Sequence, residues 1–185
     1  YLTVETSSGV KELWVNSFNG KASSVSVKLG NPIFEGKLIP STFDGEVTER
    51  QITLGGKSYA VSLVNVGNPH CVVFCDKVDE IDIDAIGQQI SDTGYFPCGV
   101  IVECVRVVNN VTVKMRVWDR INGETWSCGT AAAAAAVAAV KCGQCSYGEI
   151  ITVKLKGGDL FVKYDESGVE LDGSVKQSFE GSIEI

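Results

Sequence analysis

The chain brings a thiol to the point where a polar turn gives way to an Ala-rich run. Asp119-Arg120-Ile-Asn-Gly-Glu124-Thr-Trp-Ser127-Cys128-Gly129-Thr130 leads into Ala131–Ala139, where every residue but Val137 is Ala. That composition predicts a helix over Gly129–Lys141, stopped by Gly143. A cysteine in its first turn meets unpaired N–H groups and the positive end of the helix dipole, surroundings that bring a thiol from about 8.5 into the range of roughly 3.5–7.5. The N–H groups of Gly129, Thr130 and Ala131 would also cradle a carboxylate or phosphate, with Gly129 permitting close approach. One turn could thus bind an anionic substrate and present a thiolate to it. The position equally suits a small buried filler beside a helix capped by Ser127.

A second segment, Val66-Gly-Asn-Pro-His70-Cys-Val-Val-Phe74, uses Pro69 to lock a turn that delivers Asn68 and His70 to the mouth of a strand. His70 is the only histidine, so an imidazole proton shuttle near neutral pH must use it. A structural histidine at a strand start fits the same pattern, and Asn68 equally suits a turn. Asp119 and Arg120 read as a solvated strand end or as part of a site. Cys142-Gly-Gln-Cys145 follows a helix instead of opening one and lacks a second pair, so neither a redox nor a zinc site is supported. No phosphate-binding Gly loop, dinucleotide fingerprint or metal-binding His motif occurs. Cofactor-free chemistry is implied.

These residues sit in 185 residues of ordinary globular composition, one domain's worth, with net charge −7. That charge offers no field for nucleic acid or an anionic membrane. The uncharged run Gly129–Val140 is too short and too weakly apolar to span a bilayer. Seven cysteines without a regular framework suggest thiols kept reduced in the cytoplasm. The start, Tyr1-Leu-Thr-Val-Glu-Thr, has no leader character and no initiator Met, and it enters directly in strand-like alternation.

Period-two alternation predicts strands at Leu2–Glu5, Val10–Val15, Ser24–Leu29, Tyr59–Val66, Cys71–Phe74, Val100–Val108, Val111–Trp118, Glu149–Leu155, Leu160–Tyr164 and Val169–Leu171. Asn109-Asn110 turns Val100–Trp118 into a hairpin. Besides the Ala helix, a short one is expected around Ile83–Ile90, with Ile83, Ile86 and Ile90 on one side. The Ala helix is apolar and slim all round, which suits burial inside sheet. The fold class is α+β, strand-rich.

Gly67-Asn-Pro-His70-Cys-Val-Val-Phe, Phe96-Pro97, Arg116-Val-Trp-Asp-Arg120, Gly123-Glu-Thr125, Cys128-Gly-Thr130, Gly157-Gly-Asp-Leu160 and Phe179-Glu-Gly181 follow the order and spacing of diaminopimelate epimerase, and the chain resembles that family over nearly its whole length. The resemblance implies a barrel-like lobe around a central helix, and cofactor-independent epimerisation of LL-diaminopimelate to the meso form. In that chemistry two cysteines face opposite sides of the substrate α-carbon, one taking a proton as thiolate and the other returning one as thiol. Cys128 would be the acid/base of the second lobe, with Gly129 and Thr130 on the α-carboxylate. His70 and Asp119 would form the auxiliary acid/base pair, and Asn68 and Arg120 would hold the distal carboxylate.

Some positions depart from the family pattern. Asp119 stands for a Glu, Ile101 for a second Asn at the distal end, Ile121 and Ala131 for Gly, and Gly173-Ser174 for Gly-Pro. The first lobe's Cys-Gly-Asn-Gly turn does not occur, since the Cys-Gly pairs at Cys98, Cys128 and Cys142 continue with Val, Thr and Gln. The expectation is therefore a C-terminal half: residues 1–22 as tail strands of a first lobe, 23–174 as the second lobe and 175–185 as a strand returning to the first. That first lobe, from the same natural chain, and an amino-acid substrate would be its partners, and the chain alone should not epimerise. A racemase or isomerase of another amino acid, or a non-catalytic small-acid binding module, are the alternative readings.

Overall fold

The structure, a computed structural model, describes residues 1–6 and 9–184. Its strands are β1 Leu2–Thr6, β2 Gly9–Phe18, β3 Lys21–Gly30, β4 Arg50–Leu54, β5 Lys57–Asn65, β6 Pro69–Phe74, β7 Ile101–Asn109, β8 Thr112–Asp119, β9 Gly123–Thr125, β10 Ile150–Leu155, β11 Gly158–Asp165 and β12 Gly168–Ser174. The helices are α1, Ile83–Asp92, and α2, Gly129–Lys141. All strands join one sheet in the order β1-β2-β3-β12-β11-β10-β8-β7-β6-β5-β4, with β9 paired to β8. Two neighbours are parallel, β6 with β7 and β8 with β10, and a helix crosses between the members of each pair.

Each face of the sheet buries a different helix. Along β5 to β8, Val64, Val72, Val105, Val113, Met115 and Val117 join the core that contains α2. Val61, Leu63, Cys71, Val73, Val102 and Cys104 alternate with them and join the core that contains α1. Ala131–Ala139 are all fully buried, and Ala side chains let the surrounding strands approach the helix on every side. Past the end of β3, Ile33 and Asn65 exchange two backbone hydrogen bonds of 2.9 Å, which draws the two arms of the sheet together around α2. The lobe is barrel-like in this sense.

On the other face, α1 starts at Asp82, whose Oδ1 accepts from the Ala85 N–H at 3.0 Å. It buries Ile83, Ile86 and Ile90 and lays Gly87 flat against the Trp118 indole.

Two strands were not expected, β4 and the three-residue β9. Past β12 the Val175 N–H reaches the Ser23 carbonyl, residues 176–184 join no ladder among the described residues, and Ile185 lies outside the described residues. Position 22 falls inside β3, so the expected tail strands continue without a break into the ladder with β12. Among the described residues no helix is long and apolar enough to cross a membrane.

Candidate active site

The starts of β6 and β7 and the end of β8 lie at one end of the sheet, because β7 runs parallel to β6 and antiparallel to β8. A cavity of about 410 Å³ opens there, lined among others by Asn68, Ile101, Asp119 and Arg120. Cys98 and the exposed Ile121 also border it. Among the described residues no carboxylate pairs with Arg120, so its guanidinium is an open fork for an anion.

Asp119 is tied to its own turn. Its Oδ1 accepts from the Ile121 N–H at 2.9 Å, the Asn122 N–H at 3.0 Å and the Asn122 Nδ2 at 3.0 Å. This closes the β8–β9 hairpin, in which Asp119 faces Gly123.

His70 is fully buried beneath the cavity, on the α2 side of β6. Its Nδ1 lies 2.6 Å from Glu103 Oε1, and its Nε2 lies 3.1 Å from Asn68 Oδ1. Burial pushes His70 down to about 3 and raises Glu103 well above the ordinary carboxyl range, so the neutral form of each group is favoured. The Glu103 Oε2 is buried with no hydrogen-bond partner. The structure does not bring His70 into contact with Asp119. Both ring nitrogens are engaged elsewhere.

Cys128 is the N-cap of α2, with extended backbone at φ −151° and ψ 118°, and its carbonyl accepts from the Ala132 N–H at 3.0 Å. Ser127, weighed above as the cap, is exposed and lies one residue outside it. The Cys128 Sγ is half-buried, 3.6 Å from Thr130 Oγ1. Gly129 sits so close to Leu171 that a Cβ there would come within 2.9 Å of it. Cys128, Gly129 and Thr130 are not among the residues lining the cavity of Arg120 and Asn68. Asp119 and Arg120 on the one hand and Cys128–Thr130 on the other thus stand on opposite sides of β9, with Asn68 and His70 of the β6 start joining the first group.

Motif residues to which the sequence assigned no role fix that connection, together with Lys156. Arg116 Nε and Nη2 donate to Glu124 at 2.6 and 3.0 Å, Arg116 Nη1 donates to the Ile81 carbonyl at 2.6 Å, and Lys156 Nζ donates to Glu124 at 2.8 Å. The Arg116 guanidinium, helped by Lys156, holds the Glu124 carboxyl down to about 2. Gly157 N–H donates to the Trp126 carbonyl at 2.8 Å, and a Cβ on Gly157 would lie 3.0 Å from that oxygen and 3.1 Å from Ser127 Cβ. The Lys156-Gly-Gly-Asp159 turn is thus the brace under the Cys128 turn. Glu103 was legible only as an acid inside the apolar alternation of β7.

The family model described as diaminopimelate epimerase matches residues 62–177. A diaminopimelate epimerase of Acetivibrio thermocellus is 37% identical over 187 residues, covering 100% of this chain and 66% of that protein. One from Leptospira biflexa is 36% identical, covering 99% of this chain and 66% of its own length. The chain thus spans just under two thirds of the length of these relatives. In fold it is similar to a probable proline racemase from Agrobacterium radiobacter, at TM-score 0.67 and 14% identity, over 94% of this chain and 57% of that one. A hydroxyproline epimerase from Agrobacterium vitis gives TM-score 0.65 and 15% identity over 94% and 56%.

Proposed function

The chain belongs to the diaminopimelate epimerase family, and from that premise we propose that it supplies the Cys128 half of a cofactor-independent, two-cysteine epimerisation of LL-diaminopimelate to the meso form. The observation that carries this reading is Cys128 as the N-cap of a helix whose Ala131–Ala139 are fully buried, its sulfur 3.6 Å from Thr130 Oγ1 at the end where the Gly129 and Thr130 N–H groups have no helical partner. Those N–H groups favour negative charge, and they suit an α-carboxylate whose charge spreads toward an enolate as the α-proton leaves. In one direction the Cys128 thiolate takes the α-proton, the C–H electron pair stays on the substrate, and a thiol on the opposite face returns a proton to carbon. That second thiol is assigned to a first lobe, with residues 1–22 as its tail strands, 23–174 as the second lobe and 175–185 as a strand returning to it.

Arg120 and Asn68 are the proposed hold on the distal carboxylate, and they share a cavity that fits the task. Asp119 is assigned the substrate amine side, and His70 acts from beneath, through Asn68. The partners are an amino-acid substrate and the first lobe, and we place the protein in the cytoplasm, which its seven free cysteines suit. A second reading, a racemase of another amino acid, is favoured by Ile101, an apolar side chain in the wall beside Arg120.

The test is α-proton exchange into deuterated water by the full-length protein with LL- and meso-diaminopimelate, beside amino acids that lack a second carboxylate. Exchange is expected with diaminopimelate and lost by orders of magnitude in Cys128→Ser. Undiminished exchange in that variant, or epimerisation by the 185 residues alone, would overturn the two-thiol assignment.

A further inference from the structure

We propose that Glu103 is a positioning residue of this site, holding His70 with its proton on Nε2 so that Asn68 is fixed with Oδ1 inward and Nδ2 free for an anion in the cavity. Glu103 belongs to none of the motifs above. Register sets the arrangement, for β6 and β7 are parallel with His70 opposite Ile101 and Val72 opposite Glu103. His70 and Glu103 thereby fall on the same face of the sheet, both at 0% exposure, in a wall otherwise made of Val, Met and Ala.

For a neutral ring, the state that burial of both groups favours, the hydrogen bonds admit one reading. Asn68 Oδ1 can only accept, so Nε2, 3.1 Å away, carries a proton. In a neutral ring Nδ1 is then an acceptor, and the atom facing it at 2.6 Å, Glu103 Oε1, must donate. The orphaned Oε2 agrees with this. A buried carboxylate with an unpartnered oxygen is far costlier than a carboxylic acid whose O–H is bonded and whose carbonyl oxygen is bare. Burial favours the same neutral state in both groups. The chain of bonds runs from Glu103 through His70 to Asn68, which is part of the cavity wall. With Oδ1 committed inward, Nδ2 is the remaining polar atom of the amide, a donor beside the Arg120 fork. The inference rests on the reading above only for the identity of the anion.

The test reads the ring itself and does not depend on what the enzyme acts on. Because the chain has one histidine, ¹⁵N labelling of imidazole gives a single ring spectrum. The wild type is expected to show protonated Nε2 and bare Nδ1. Glu103→Gln, whose amide donates to Nδ1, keeps that tautomer. Glu103→Met removes the donor, mixes the tautomers and shifts the Asn68 side-chain amide signal. In the full-length enzyme Glu103→Met raises KM roughly tenfold with a smaller change in kcat, and Glu103→Gln restores most of it. A proton on Nδ1 in the wild type, or an unchanged tautomer and Asn68 signal in Glu103→Met, would overturn the proposal. Should Glu103→Met fail to fold, the wild-type and Glu103→Gln spectra decide it, and bare Nδ1 in both is then the supporting result.

Discussion

Glu103 Oε1 and His70 Nδ1 meet at 2.6 Å with both side chains at 0% exposure, so the two groups titrate as one unit between folded and unfolded chain. His70 is lowered from 6.5 to about 3, so the unfolded chain binds the extra proton between those values and stability rises with pH there. Glu103 is raised from 4.5, so the folded chain binds the extra proton above 4.5 and stability falls as pH rises. Above 4.5 and below 6.5 the two slopes oppose each other. The pair therefore contributes a plateau, with slopes of about 1.4 kcal/mol per pH unit on either side. Urea unfolding against pH checks this by difference. Glu103→Gln is expected to abolish the alkaline slope and extend the acid one up to 6.5, the ordinary value of histidine. An alkaline limb identical in variant and wild type would dissolve the pairing.

Glu124 adds an acid-side slope of its own. Its carboxyl is held from 4.5 to about 2, so its stabilisation is present above 4.5 and is lost as pH falls through that window. The group is 17% exposed, and the shift corresponds to about 3 kcal/mol at pH 7. Glu124→Gln is expected to lower stability at pH 7 by about that much and to flatten the slope below 4.5 by one proton. The alkaline limb is untouched, which distinguishes this variant from Glu103→Gln in the same experiment.

How far the sequence reaches is visible in these residues. The bounds of α2 were readable because a run of Ala has one strong local preference and Gly143 ends it; the structure returns Gly129–Lys141. The turns at strand ends left Asn68, Asp119 and Arg120 open between a structural and a site role, and the resemblance singled them out; the structure places all three on one cavity. Glu103 could not be matched to His70, because 33 residues separate them and only the parallel pairing of β6 with β7 makes them neighbours. β4 was not predicted since Arg-Gln-Ile-Thr-Leu turns only Ile52 and Leu54 inward, and β9 because Gly-Glu-Thr has no alternation to read. The terminal strand expected over 175–185 rests on the resemblance alone, and its partner would be a first lobe; residues 176–184 join no ladder among the described residues.

Gly87 is where the outer helix meets the wall of the site. A Cβ there would lie 2.2 Å from the Trp118 ring, and Trp118 directly precedes Asp119. Ala should favour the helix by up to about 1 kcal/mol, yet the clash forces the indole out of a packed core, typically costing 1–3 kcal/mol. Gly87→Ala is thus expected to lower the urea midpoint despite its better helix propensity, and to change Trp fluorescence. A raised midpoint would mean that the indole has room to move.

Ile101 tests what the cavity selects. It stands at the mouth of β7, in register with His70 across the parallel pair and in the same wall as Asn68 and Arg120. Two donors there suit one carboxylate, and an apolar neighbour contributes shape but no hydrogen bond. A site that hydrogen-bonds a substrate group rejects analogues lacking it far more strongly than an apolar wall does. Ile101→Asn adds a donor and an acceptor beside the guanidinium. In the full-length enzyme it is expected to raise the kcat/KM ratio of diaminopimelate over an amino acid with an uncharged side chain by about tenfold, the equivalent of one good hydrogen bond at about 1.4 kcal/mol. The competing outcome is as informative. If Ile101→Asn lowers kcat/KM for diaminopimelate, the isoleucine is packing against substrate methylenes, and if the wild type already prefers an apolar amino acid, the racemase reading takes the place of the diaminopimelate one.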